Sequence, residues 1–140
     1  MQNILFFIPN IERGGIEKNL IILGNYFSKK NYKIEIICSK ISKEVKSKIN
    51  KKVSIIKCKD YIKLPYIPDR ILNSINTFIY FLIFYSSKKK QVVLSMQDHP
   101  FSIIAARLKN IPCIIRIANH PVSSLKFYNN WFIFLIKINI

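Results

Sequence analysis

The chain has 140 residues, half of them hydrophobic, and a formal net charge of +16. This length suits one domain with a buried core and is too short for two. Three widely spaced cysteines, an odd number, are typical of reduced thiols and argue against a disulfide framework or a zinc site.

Apolar runs alternate with helical patterns along the whole chain. We predict strands near residues 3–9, 33–39, 53–58, 91–96 and 112–118. We predict helices near residues 15–29, 41–50, 69–87 and 101–109, and a further helix at 123–138. The strand runs are apolar almost throughout, as is typical of strands covered on both faces. The alternation predicts an α/β fold: a Rossmann-like, doubly wound parallel sheet with its strands in the order 3-2-1-4-5.

The first predicted strand leads into a Gly-Gly turn that opens the first helix. Gly14 and Gly15 permit positive φ and leave room for a ligand beside the main chain. The free backbone N–H groups at the positive end of a helix hold phosphates in many α/β proteins. Arg13, directly before the glycines, is placed to contact a diphosphate. A plain βα turn with a solvated arginine explains the same residues.

A sheet of this order has its ligand cleft beyond the carboxyl ends of the first and fourth strands. The loops expected there are 10–15 and 97–100, with 118–121 beside them. They contribute His99 and His120, and a histidine can act as an acid, a base or a hydrogen-bond donor near neutral pH. His99 can equally be an ordinary residue of a helix N-terminus.

The end of the fifth predicted strand carries a further cation. The Arg116 guanidinium can reach an anionic ligand there, or it can form a structural ion pair. Asn119 follows shortly after it and is an alternative to His120 as the polar residue of that loop. The sequence shows no cluster of metal ligands, and we predict no metal site.

The excess of lysine leaves three alternatives open: an anionic membrane surface or polyprenyl-phosphate lipid, nucleic acid, or a compositional bias without a partner. No helix-turn-helix or zinc pattern appears, so nucleic acid is not favoured. The apolar stretch 71–85 is short and polar at one end, and we predict a buried or interfacial helix. The uncharged N-terminus is unlike a signal peptide, and we expect a cytoplasmic protein, peripheral at the inner face of the membrane.

The order of these motifs resembles the N-terminal domain of glycosyltransferase family 4 enzymes, which have the GT-B fold. The segments that carry the resemblance are Gly14-Gly15-Ile16-Glu17 with the helix after it, then 32–37, 92–95, 105–108 and 111–116. The resemblance implies one half of a GT-B fold, in a retaining enzyme that transfers a sugar from a nucleotide-sugar donor to a lipid-linked or saccharide acceptor. It implies no cofactor and no bound metal.

The resemblance also implies roles for individual residues. The candidates are Gly14, Gly15 and Arg13 for the donor diphosphate, Arg116 and Asn119 for the acceptor, and His120 and His99 for catalysis. The sequence lacks the Glu-x7-Glu motif and the second, donor-binding domain of that family. We therefore expect residues 1–140 to form an acceptor-side domain, incomplete at its C-terminus and inactive alone.

Two other interpretations remain open. The chain can be a free-standing Rossmann-like module that binds a phosphate or nucleotide, although it lacks Gly-x-Gly-x-x-Gly and has no acidic residue ending the second strand. It can also be a subunit of a two-chain transferase that pairs with a separate C-terminal domain. The apolar residues 131–140 favour the second interpretation.

Overall fold

Strands and helices alternate in the computed structural model, which describes residues 2–12, 14–86, 90–97 and 99–116, with only the backbone at His99. The strands are β1 (Asn3–Phe7), β2 (Asn10–Ile11), β3 (Lys33–Cys38), β4 (Lys40–Ile41), β5 (Ser54–Lys57), β6 (Gln91–Ser95) and β7 (Cys113–Ile115). The helices are α1 (Gly15–Lys29), α2 (Lys43–Lys48), α3 (Asp69–Phe84) and α4 (His99–Leu108).

Five strands form one parallel sheet in the order β5-β3-β1-β6-β7. This is the predicted order 3-2-1-4-5, and the predicted α/β class is confirmed. β1 lies at the centre, where Phe7 is opposite Ile37 of β3 on one side and Ser95 of β6 on the other. The carboxyl ends of all five strands therefore lie at the same edge of the sheet.

Both faces of the sheet are covered by helices. Along β1, Phe6 faces a cluster that includes Leu20 of α1, whereas Phe7 faces a cluster that includes Phe81 of α3. The rings of Phe7 and Phe81 meet edge to face, with centroids 6.1 Å apart. Burial of each such side chain stabilises the fold by roughly 1.5–3 kcal/mol. Burial on both faces explains why the central strand β1 is apolar along most of its length.

A second, two-stranded parallel sheet lies at the carboxyl edge. In it Asn10 of β2 is opposite Lys40 of β4, and Ile11 is opposite Ile41. The Pro9 carbonyl accepts hydrogen bonds from the backbone N–H groups of Ser39 (2.9 Å) and Lys40 (3.0 Å). Residues 10–15 were predicted as a loop, and this is wrong for the first two of them. Strands of two residues are too short to show a periodic pattern.

The boundaries of several elements differ from those predicted. α2 spans six residues rather than 41–50, because Ser42 caps it directly after β4. α4 begins at His99, two residues earlier than predicted. α3 covers most of the stretch 71–85 and packs on the sheet. None of the helices that the structure describes has the length and apolar character of a membrane span. The helix predicted at 123–138 lies outside the described residues.

Candidate functional site

The strand order reverses between β1 and β6, at the centre of the carboxyl edge. The chain leaves β1 towards β3 on one side, while β6 pairs with β1 on the other. The Met96 N–H donates to the Phe7 carbonyl (3.3 Å), so the two strands stay together where they end. Parallel α/β sheets bind their ligands outside such a reversal. We call this region the switch edge; it comprises residues 8–12, 14–15 and 96–97 and the start of α3.

Gly14 and Gly15 lie at the switch edge, where α1 begins. Gly14 is the N-cap residue with φ 168° and ψ −172°, an extended backbone that any residue adopts, and Gly15 is the first helical residue. Neither glycine uses the positive φ that glycine permits, since no described glycine has it. The expectation of free space holds for Gly15: a Cβ added there meets nothing within 4 Å.

The carboxylate of Glu17 lies close to Gly14 at the start of α1. Glu17 lies in the first turn of α1, is only 8% exposed, and folds back over the N-cap. A Cβ on Gly14 would lie 2.8 Å from Glu17 Oε2, so a larger residue would displace the carboxylate. A carboxylate at a helix N-terminus is stabilised by the helix dipole. The negative charge of Glu17 also offsets part of the positive charge at this end of α1.

A hydrogen-bonded network joins the loops of the switch edge to α3. Asn10 Nδ2 donates to the Arg70 carbonyl (3.3 Å), and Asn73 Nδ2 donates to Asn10 Oδ1 (2.6 Å). The Gln97 amide is oriented by its neighbours: its nitrogen donates to the Asn10 carbonyl (3.0 Å) and its oxygen accepts from Arg70 Nη2 (3.2 Å). These contacts hold Asn10 in place at the start of the segment that follows β1.

A second group of hydrogen bonds extends the network towards β3. Ser39 Oγ donates to the Asn73 carbonyl (3.0 Å) and lies 2.8 Å from Thr77 Oγ1, which donates to the same carbonyl (2.7 Å). Ser39 and Thr77 are both buried. The polar end of the stretch 71–85 was therefore the available sequence signal for this network. That signal was used only to argue against a membrane span.

Two cysteines near this edge remain protonated thiols. Burial raises the pKa of Cys38 to about 12, and the neighbouring Cys58 contributes to the rise. Burial also raises the pKa of Cys58 to about 11. The reactive form of cysteine is the thiolate, so neither residue is a nucleophile at neutral pH. Within the described ranges, no group of three or more His, Cys, Asp or Glu side chains is placed to hold a metal ion.

Arg116 follows β7 and also lies at the carboxyl edge, where its backbone N–H donates to the Ser95 carbonyl (3.0 Å). Its Nη1 atom is buried and has no hydrogen-bond partner in the described part of the chain. Leaving a charged donor buried and unpaired is costly. This nitrogen therefore has unused capacity to donate a hydrogen bond, and the acceptor-binding role of Arg116 stays a prediction.

The other predicted site residues are placed only in part. His99 is the first residue of α4, next to the switch edge along the chain, and its side chain is not described. Arg13, Asn119 and His120 lie outside the described residues. Gly14, Gly15 and Arg116 are thus the predicted site residues that the structure places at the carboxyl edge. Asn10, Asn73 and Gln97 join them without having been predicted as site residues.

No family model, no curated protein and no solved structure matches the chain. Its function is therefore inferred from the geometry of this edge together with the resemblance of the sequence.

Proposed function

We propose that the chain is the acceptor-side domain of a retaining glycosyltransferase with the GT-B fold. The enzyme transfers a sugar from a nucleotide-sugar donor to a lipid-linked or saccharide hydroxyl group. One observation carries the proposal: the Gly14-Gly15 turn begins α1 beside the point where the order of a five-stranded parallel sheet reverses. The resemblance of the sequence supplies the class of reaction.

In this proposal Gly15 and Arg116 each make one interaction with a substrate. The open surface at Gly15 lets a diphosphate approach the N-terminus of α1, where backbone N–H groups and the helix dipole stabilise the charge of the leaving group. Arg116 contacts the acceptor through its unpaired Nη1. The second domain of the enzyme binds the nucleotide and the sugar. A lipid-linked acceptor would hold the enzyme at an anionic membrane, to which the positive charge of the chain is attracted.

The first test concerns the second domain. The coding sequence downstream of Ile140 should be translated in all three frames and searched, together with adjacent genes, for an α/β domain with a Glu-x7-Glu pattern. A domain in frame or in an adjacent gene supports the transferase, and the two parts together should then transfer sugar. If neither contains such a domain, the chain has no donor half and the proposal is wrong.

The second test concerns Gly15. Nuclear magnetic resonance titration of the labelled chain with nucleoside-diphosphate sugars should shift the amide signals of residues 14–18. Gly15→Ala places a methyl group in the open space that the ligand needs, and we expect at least about fivefold weaker binding, or about 1 kcal/mol. Gly24→Ala is the matched control, since a Cβ there also meets nothing within 4 Å. Equal affinities of the two variants would contradict the proposed site.

A phosphate- or nucleotide-binding module is a second candidate, favoured by one observation. Gly15 offers an open surface and Arg116 offers a buried nitrogen without a hydrogen-bond partner at the same edge, and neither requires a sugar. Titration with the free nucleoside diphosphate separates the two candidates. A module binds it as tightly as the nucleotide-sugar, whereas a transferase gains affinity from the sugar or from the second domain.

A further inference from the structure

A groove of about 860 Å³ lies at the carboxyl ends of β3 and β5 and reaches the start of α3, where it borders the switch edge. None of the predicted site residues lines it. Its cations come from three places: Lys40 from β4, Lys57 from the end of β5, and Lys59 and Lys63 from the connection that follows β5. We propose that this groove binds the phosphate monoester group of an anionic ligand. The inference is independent of the proposed transferase activity.

Four lysines and two carboxylates, those of Asp60 and Asp69, line the groove, and these charges are unevenly paired. Lys40 Nζ lies 2.9 Å from Glu12 Oε1, and Lys63 Nζ lies 3.8 Å from Asp60 Oδ2. Lys57 and Lys59 form no ion pair with any residue that the structure describes. Two ammonium groups are therefore free to meet a ligand. A phosphate monoester carries close to two negative charges at neutral pH and matches this pair better than a single carboxylate does.

The side-chain amides of Asn73 and Asn76, which line the groove, already form hydrogen bonds within the protein. Asn76 Oδ1 accepts from the backbone N–H groups of Tyr61 (3.0 Å) and Ile62 (2.8 Å), and Asn76 Nδ2 donates to the Ile62 carbonyl (3.1 Å). Asn73 donates to Asn10 in the network of the switch edge. These side chains hold the groove in shape. The donors with free capacity are the lysines, so we expect charge to dominate recognition.

Part of the wall is apolar and indicates what the phosphate is attached to. Ile62, Leu64, Pro65 and Leu72 line the groove together with the lysines. Leu64 is 48% exposed, so its side chain has area to bury against a ligand. An organic body bearing a phosphate monoester fits such a wall. It can be a soluble phosphorylated metabolite or the headgroup of a phosphatidate-type lipid.

The test compares two double variants with the same loss of charge. Lys57→Gln/Lys59→Gln removes the free cations of the groove, whereas Lys51→Gln/Lys52→Gln removes two exposed lysines that do not line it. Binding is measured by calorimetry with glycerol 3-phosphate and by flotation with phosphatidylcholine vesicles that contain phosphatidate. Vesicles with phosphatidylserine at equal charge show whether the phosphate monoester itself is recognised. Thermal unfolding of each variant verifies that it is folded.

We expect the chain to bind at least one of the two phosphate probes. The groove variant should bind it about tenfold more weakly, or about 1.4 kcal/mol, while the control variant stays within about twofold. Binding to glycerol 3-phosphate identifies a soluble ligand, and binding to phosphatidate vesicles alone identifies a lipid. The proposal is overturned if neither probe binds, if both variants lose equal affinity, or if phosphatidylserine vesicles bind as well as phosphatidate vesicles. None of these results depends on the nucleotide-sugar titration at Gly15.

Discussion

At the scale of single residues, Asn76 holds the connection between β5 and α3 through hydrogen bonds to its backbone. Its side chain is 2% exposed and makes three hydrogen bonds to the backbone of residues 61 and 62. We expect Asn76→Ala to lower the free energy of unfolding by about 2 kcal/mol, because it leaves backbone polar groups without partners. Urea denaturation measures this.

Asn19→Ala is the control for that substitution. Asn19 Nδ2 makes one exposed hydrogen bond, to the Gly15 carbonyl within the same helix (2.7 Å). Its loss should change stability by less than about 0.5 kcal/mol, since alanine is also the better helix former. If the two alanine variants are equally stable, Asn76 does not hold the connection between β5 and α3.

The buried thiol of Cys38 predicts a dependence of stability on pH. Its pKa rises from 9.0 to about 12 in the fold, because burial disfavours the thiolate. Below pH 9 both the folded and the unfolded chain keep the proton, and the stabilisation is complete. From there up to about pH 12 only the unfolded chain releases it, so the free energy of unfolding falls by about 1.4 kcal/mol per pH unit for this thiol.

Urea denaturation at several values between pH 9 and pH 11 tests the effect, which has its onset at the ordinary pKa of 9.0. The Cys38→Ala variant should lose stability less steeply than the unmodified chain, with the slope of Cys58 remaining. Val45→Ala removes buried apolar volume without a titrating group, and it should lower stability by a similar amount at every pH. Equal slopes in the Cys38 variant and the unmodified chain would refute the expected linkage.

At the scale of elements, α2 depends on its cap because it has only six residues. Ser42 Oγ accepts from the Val45 N–H (3.3 Å) at the N-terminus of this helix. We expect Ser42→Ala to cost about 1 kcal/mol of stability, measured by denaturation. Ser47→Ala provides the comparison, because Ser47 Oγ donates to the Glu44 carbonyl on the exposed face. Its loss should be nearly neutral, and a larger effect at Ser47 than at Ser42 would contradict the capping role.

Elements with a long periodic pattern were predictable, whereas short strands that pair with residues far away in the sequence were not. α1 was predicted with its observed bounds, since its apolar side chains recur on one face over four turns. β2 and β4 were missed, because their pairing joins Asn10 to Lys40 and leaves no local pattern. The same reason hid Asn10, Asn73 and Gln97, whose hydrogen bonds connect three separate parts of the chain.

The position of the glycines at the switch edge was predicted, whereas the contact between Glu17 and Gly14 was not. Their position follows from the strand–turn–helix pattern, and that was readable from sequence. The crowding at residue 14 comes from Glu17, whose carboxylate folds back to within 2.8 Å of the position that a Cβ would take. That cause is a side-chain conformation, which no sequence pattern specifies.

At the scale of the whole molecule, the charge of +16 works against compactness. Folding brings the lysines closer together, and the ion pairs that the structure describes are few and partly exposed. We expect the midpoint of thermal unfolding to rise with sodium chloride, because salt screens the repulsion.

The Lys51→Glu/Lys52→Glu variant verifies the origin of that effect. Both lysines are exposed on the turn between α2 and β5, and the exchange lowers the net positive charge without disturbing the core. The variant should melt at a higher temperature in low salt and respond less to added salt. An unchanged salt response would show that repulsion among the lysines is not its cause.

The small sheet of β2 and β4 has a consequence for how the molecule folds. β2 and β4 are separated along the chain by α1 and β3. Their pairing therefore requires that this intervening chain brings its two ends together, which costs entropy. The segment that carries the chain to Gly14 therefore acquires its shape only after the first βαβ unit has assembled. Contacts between positions so far apart slow folding, and contacts made late are absent from the transition state. We therefore predict that β2 and β4 pair late in folding, and that mutations there accelerate unfolding more than they slow folding; measurement of both rates tests this.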